Sequence, residues 1–273
     1  MVSAMPADFR AAIDAARDRL RGFDRVEHFA EVQSTNDLAL ARAAAGAPAG
    51  TVIIADAQNA GRGRLGRVWH SPPDAGIYLS AVLRAESWAG TLSLVTMAAG
   101  VAVVKGLRAA TGLEAELKWP NDMVIGRPWR KIAGILSETV SVSAQVDAVV
   151  VGIGINLRAG AFPPELRDRA SAVEVELGRS VDRATCLVEV LVALADASSR
   201  LAAGDRAWVT ADWRQYGGAG LRNSPVTWHD GRQVRRGLAT GIDESGALII
   251  DTAPGMQERI IAGEVKWERL SRD

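Results

Sequence analysis

The 273-residue chain has one cysteine and three histidines, and its 32 basic side chains are matched by 32 acidic ones. Each shortage excludes something. The single Cys186, set in an apolar helical pattern, allows no intrachain disulfide and no cysteine metal cluster, and reads as a buried thiol. His28, His70 and His229 fall in no metal-ligand spacing. Zero net charge argues against a nucleic-acid binder, whose phosphate contacts normally leave a basic excess. No apolar run reaches the roughly 18 residues of a membrane span. The N-terminal segment, with Asp8, Arg10, Asp14, Arg17 and Asp18, has no apolar stretch of the secretory type. Neither a GxSxG element nor a P-loop occurs, and no nucleophile sits beside an evident base. With 48% hydrophobic and 23% charged residues, the composition is that of an ordinary globular chain, here expected to be cytoplasmic and long enough for one large domain and a small one.

What is present is strongly patterned. Phe9, Ala12, Ile13, Ala16 and Leu20 recur at helical spacing, which predicts a helix over 7–21. A strand follows at 26–32, and Ser34, Thr35 and Asn36 offer N-caps to the helix DLALARAAA. Strands are expected over 51–56, 76–84, 115–119, 131–140 and 146–155, with a long apolar helix over 91–111 ended by Gly112. Residues 182–203 and 205–216 read as helices, and GGAGLRNSP at 217–225 as a linker. From Val226 onward, short alternating segments separated by Asp-Gly and Pro-Gly turns suggest a small β barrel of about 50 residues. The division expected is 1–220 and 221–273.

The most specific stretch is QNAGRGRLGRVW at 58–69. Glycine lets backbone N–H groups approach an anion closely, and guanidinium groups bind carboxylate and phosphate oxygens in bidentate fashion. Arg62, Arg64 and Arg67 on a loop between two core strands point to closure over a small anionic ligand, the three charges repelling one another until it arrives. Four other pieces sit at strand ends or turns. KWPND at 118–122 gathers an ammonium, an indole and a carboxylate around a proline turn, and Lys131 enters a glycine-thinned strand, KIAGIL, as a lone cation. GIGIN at 152–156 places glycines at alternate strand positions, a mark of close approach, and STN at 34–36 opens a helix. Alone, each piece has a plain reading as a turn, a cap or a tight crossing. Together they provide cations and glycines with few acid–base groups, which suits phosphoryl or adenylyl transfer, where positioning and charge stabilisation carry the catalysis.

Taken in this order, the five motifs, spanning about residues 25–158, resemble the biotin–protein ligase (biotin–acetyl-CoA-carboxylase ligase) family. Asn59, where a hydroxyl is commoner, and the basic, bulky GRPWR at 126–130 depart from its pattern. The resemblance implies an α+β fold, a mixed β-sheet flanked by helices of class II synthetase-like type, with a small C-terminal SH3-like β-barrel. It implies biotin and ATP as substrates, Mg²⁺ with ligands unknown, and biotin carboxyl carrier domains of acyl-CoA, acetyl-CoA and pyruvate carboxylases as partners. No nucleic-acid or membrane partner is expected, and the protein is expected to be a monomer or weak homodimer.

Carried over residue by residue, the resemblance assigns biotin binding to Ser34, Thr35, Asn36, Gln58, Gly61, Arg62, Gly63, Arg64, Trp69, Lys131, Gly134, Leu136, Gly152 and Ile155. It assigns the adenylate to Arg64, Arg67, Trp69, Lys118, Asn121, Lys131 and Asn156, and catalysis to Lys131, Arg64 and Asp122, the last orienting or deprotonating the incoming lysine. Three readings compete. A lipoate or octanoate ligase would lack the GRGRxGRxW loop. A non-catalytic, biotin-responsive repressor is disfavoured by neutral charge and by only about 25 residues before the first core strand, too few for a DNA-binding domain. An adaptor working through the β barrel finds only Trp228 and Trp267 as aromatic support.

Overall fold

Phe9, Ile13 and Leu20 bury one face of the N-terminal segment, yet it forms two helices, α1 (Ala7–Ala15) and α2 (Arg17–Leu20). The break falls at Ala16, whose ψ of 6° leaves helical geometry. The structure, a computed structural model, describes residues 2–85, 90–143, 145–218 and 220–268. Residue 219 of the expected linker and residues 269–273 of the expected C-terminal unit lie outside the described residues.

Strands β1 (Arg25–Val32), β2 (Thr51–Gln58), β3 (Gly76–Leu83), β4 (Glu116–Lys118), β5 (Asp122–Ile125), β6 (Arg130–Val142) and β7 (Gln145–Asn156) form one mixed sheet in the order β1-β2-β3-β7-β6-β5-β4. Only β1 and β2 run parallel. Helix α3 (Thr35–Ala44) covers one face, where Ala39 and Ala43 pack with Phe29, Ile53, Ala55, Val82, Ala148 and Val150. Helices α4 (Val95–Thr111) and α6 (Arg183–Ala202) cover the other, against Ile54, Leu79, Val151, Ile153 and Ile155. Alternate residues of β2, β3 and β7 therefore enter different cores, as strand periodicity requires. α5 (Val173–Leu177) and α7 (Ala207–Tyr216) complete the α-helices among the described residues. β5 and α5, too short to show a period, are additions to the expected elements.

The stretch Leu92–Thr111, with mean hydropathy 1.5, is long and apolar enough to cross a membrane by length and composition, against the expectation that no such stretch exists. Here it is the central core helix. Val101, Val103 and Leu107 are fully buried, and a Cβ on Gly106 would fall 2.6 Å from the Val190 backbone of α6.

Beyond α7, strands β8 (Ser224–His229), β9 (Val234–Ile242), β10 (Leu248–Ala253), β11 (Met256–Ile260) and β12 (Val265–Trp267) form an antiparallel sheet in the order β11-β10-β9-β8-β12. Its apolar residues Val226, Ala239, Leu248 and Ile250 belong to the same core as α4 and α6. The sheet is also tied on by polar contacts, with Trp119 Nε1 donating to Gly246 O at 2.9 Å and Arg214 to Ile242 O at 2.8 Å.

Candidate active site

A cavity of about 760 Å³ lies on the α3 side of the seven-stranded sheet. Its walls come from the start of α3, the end of β2, the arginine loop, the β4–β5 turn, β6 and β7. The segment 161–170 and residues 263–267 of the C-terminal sheet complete it.

One wall is neutral and rich in hydrogen bonds. Ser34 caps α3 by accepting from Asp37 N at 3.4 Å, so it serves as an N-cap and as cavity lining at once. Gln58 Oε1 accepts from Thr35 N at 2.8 Å, and its Nε2 donates to Ser71 at 2.9 Å. Beneath them, the buried Ser80 hydroxyl lies 2.6 Å from Asn36 Oδ1 and 2.8 Å from Thr35 Oγ1. The carboxamide oxygen can only accept, so Ser80 gives its one proton to Asn36. Asn36 Nδ2 donates to Glu138 at 2.7 Å, which fixes the amide's orientation. The glycines make room for this arrangement. A Cβ on Gly152 would fall 2.0 Å from Asn36 Oδ1, and one on Gly154 would fall 2.4 Å from Trp69 Nε1. Trp69 lies across Gly134 and Gly154, and its buried Nε1 has no hydrogen-bond partner among the described residues.

The other wall is cationic, and its arginines are tethered to partners even though Arg64 and Arg67 still repel each other. Arg62 donates to Asp37 at 2.5 Å and to Glu138 at 3.1 Å. Arg64 donates to Asn121 Oδ1 at 3.3 Å and to Gly263 O at 3.0 Å, and Arg67 bonds Glu264. Burial pulls the Arg64 guanidinium below its ordinary range, and the Arg67 charge adds to this while Asp122 opposes it. Arg67 in turn lowers the Glu264 carboxyl through their hydrogen bond. Lys131 is not the lone cation that its place in the sequence suggests. Its Nζ pairs with Asp122 Oδ1 at 2.5 Å and stands 5.1 Å from the centre of the Trp69 ring. Burial also lowers the Lys118 ammonium, and no carboxylate among the described residues lies within ion-pair distance of it.

Comparison with known proteins accords with this geometry. A profile of the Biotin/lipoate A/B protein ligase family matches residues 29–156, and one of the Biotin protein ligase C terminal domain matches 223–266. The biotin–[acetyl-CoA-carboxylase] ligase of Paracoccus denitrificans is 36% identical over 253 residues, covering 86% of this chain and 98% of that one. Its counterpart in Mycobacterium tuberculosis is 34% identical over 272 residues, covering 95% of each. The chain belongs to the biotin–protein ligase family. Its fold matches that of the Aquifex aeolicus biotin protein ligase solved with biotin and ATP, with a TM-score of 0.76 and 27% identity over 90% of this chain and 99% of that one.

The structure brings nearly all the expected ligase residues onto one cavity: Ser34, Thr35, Asn36, Gln58, Arg62, Gly63, Arg64, Arg67, Trp69, Lys118, Asn121, Asp122, Lys131, Gly134, Leu136, Gly152 and Asn156. Two expected residues are elsewhere. Ile155 is fully buried in the core with α4 and α6 and does not line the cavity; the neighbouring Gly154 does. Gly61 does not line the cavity either. Its missing side chain lets the chain cross close to Trp69, where a Cβ would fall 2.4 Å from the carbonyl oxygen. Ser80, Glu138, Phe162, Leu166 and residues 263–267 were not foreseen. A lone serine in the apolar run GIYLSAVL and a lone carboxylate in KIAGILSETV are visible signals for the first two.

Proposed function

We propose that this chain activates biotin with ATP and transfers it to one lysine of a biotin carboxyl carrier domain. The observation that carries the reading is the adjacency of the two walls. Ser34, Thr35, Asn36 and Gln58 offer neutral donors and acceptors suited to a ureido ring, and Arg62, Arg64, Arg67, Lys118 and Lys131 border the space beside it. A carboxylate and a triphosphate repel each other, and only cations in a partly dry site can bring them together.

In the first step a biotin carboxylate oxygen attacks the α-phosphorus. The bond to the bridging oxygen breaks, pyrophosphate departs, and biotinyl-5′-AMP remains. Lys131 turns from Asp122 to the oxygens where charge develops, and Arg64 holds the adenylate against Asn121. Trp69 lies over the glycine-thinned strands and shields the mixed anhydride from water. In the second step the neutral ε-amine of the carrier lysine attacks the acyl carbon, a proton leaves the nitrogen and AMP departs. Asp122, released by Lys131, orients that amine and accepts its proton. Gly134, Leu136, Gly152 and Gly154 floor the bicycle and its chain, and Asn156 lies by the adenylate.

Mg²⁺ accompanies the nucleotide in this reading. Such an ion keeps several waters and needs one or two protein carboxylates. No cluster of three His, Cys, Asp or Glu among the described residues could hold an ion by itself, and the cavity carboxylates Asp122 and Glu264 suit one delivered on phosphate. When bound it would share the triphosphate charge. We further propose a catalytic unit over 1–220 and an SH3-like second unit over 221–273, the latter supported by five short antiparallel strands with irregular register in β10. Carriers of acetyl-CoA, acyl-CoA and pyruvate carboxylases, a monomeric or weakly dimeric state and a cytoplasmic setting complete the proposal. Biotin-dependent release of pyrophosphate from ATP, measured without carrier, tests it; release indifferent to biotin would oppose it.

A further inference from the structure

The hairpin 126–130, GRPWR, has no part in the chemistry above, yet it reaches the cavity through the C-terminal sheet. Trp129 meets Trp267 of β12 edge to face, with ring centres 6.3 Å apart and planes at 65°. Trp267 donates from Nε1 to Gly220 O at 3.1 Å. Gly220 suits both rings, since a Cβ there would fall 3.2 Å from Trp129 and 3.4 Å from Trp267 Nε1. On the catalytic unit, Arg127 covers the Trp129 ring at 4.9 Å and pairs with Glu116 of β4 at 2.8 Å, two residues before Lys118. Lys118 Nζ stands 5.1 Å over the Trp267 ring, and both residues line the cavity. A partly desolvated ammonium with no carboxylate among the described residues within ion-pair distance is thus held against an aromatic face, an attraction that strengthens as water is removed.

We propose that Trp129 and Trp267 are positioning residues for Lys118: the tryptophan pair fixes the C-terminal sheet against the cavity and sets the ammonium where the nucleotide's phosphates bind. The inference rests on the proposed ATP-dependent ligation. Its specific content is that the C-terminal sheet contributes to nucleotide binding through Trp267, and that a hairpin outside the cavity lining controls that contribution. Biotin's polar wall, built from α3, β2 and β3, is held by hydrogen bonds that involve neither tryptophan, so the two ligands should respond differently.

The test is direct calorimetric binding of a non-hydrolysable ATP analogue and, separately, of biotin to the full chain. Trp129→Ala should weaken the analogue about tenfold, in the range of a desolvated cation–π contact, with biotin affinity unchanged. Trp129→Phe, which keeps an aromatic edge against Trp267, should restore nucleotide affinity. In a Lys118→Ala background the Trp129 substitution should cost nothing further. If Trp129→Ala does not fold, Trp129→Leu, which keeps apolar volume without the aromatic edge, is read in the same way. Equal losses for both ligands, unchanged nucleotide affinity, or an additive loss in the Lys118→Ala background would overturn the proposal. Wild-type protein that binds neither ligand would instead overturn the ligase reading on which it rests.

Discussion

The two faces of strand β7 divide the molecule's labour. Val149, Val151, Ile153 and Ile155 point to α4 and α6 and are almost wholly buried. On the other face, Ala148 and Val150 support α3, and then side chains disappear: Gly152 makes way for Asn36, Gly154 for Trp69, and Asn156 ends the strand at the cavity. One face maximises apolar contact and so contributes stability. The other gives up contact so that polar and aromatic groups can sit against bare backbone. Substitutions on the first face should therefore register in stability alone, and those on the second in ligand binding and turnover.

The sharpest break in that contrast is Lys131→Ala. It removes the cavity cation proposed to meet carboxylate and α-phosphate, and should lower biotin-dependent pyrophosphate release about 100- to 1000-fold, as deletion of one oxyanion donor does. Its melting temperature should stay near that of the wild type, because the Lys131–Asp122 pair is part-exposed. Next comes Gly154→Ala. A methyl 2.4 Å from the Trp69 indole nitrogen forces the ring to move, with an overpacking cost of about 1–3 kcal/mol. Calorimetric biotin affinity should fall by about tenfold or more, since much of that cost returns as lost closure.

The opposite face sets the control. Ile155→Val should destabilise the fold by about 0.5–1.5 kcal/mol in denaturant melts, with turnover and biotin affinity unchanged. The smallest effect concerns Cys186, fully buried on α6, whose thiol burial pushes up to about 12. Its thiolate is negligible at neutral pH, so an alkylating reagent should modify it in denaturant and leave the native protein untouched. Native labelling at the unfolded rate would show the α6 side of the core to be open.

The motifs that were legible are local ones. STN, the glycine–arginine loop, KWPND and GIGIN each hold several cavity residues within a few positions, and the sheet topology then brings them together. Ile155 was misplaced because β7 is buried on both faces, and VVVGIGI hides its period of two; the glycines mark the ligand side, and a residue adjacent to them in sequence faces away. The tethering of the arginines was illegible for another reason. Asp37, Asn121, Glu138 and the pair Gly263–Glu264 reach the loop from four separate parts of the chain, and the partners of Arg64 and Arg67 between β11 and β12 lie nearly 200 positions away. Short elements such as β5 and α5 carry no periodic signal and owe their form to their neighbours. The break at Ala16 likewise left no mark, since alanine favours helix on both sides of it.

The central claim is that a single cavity both activates biotin and delivers it to a protein lysine. It is tested most directly by incubating the full chain with labelled biotin, ATP and a folded biotin carboxyl carrier domain, then mapping the label by peptide mass analysis. The account predicts an ATP-dependent amide at one carrier lysine, lost in Lys131→Ala and retained in Ile155→Val. Label spread over many lysines at equal rates, or its absence with wild-type protein that binds both substrates, would contradict it.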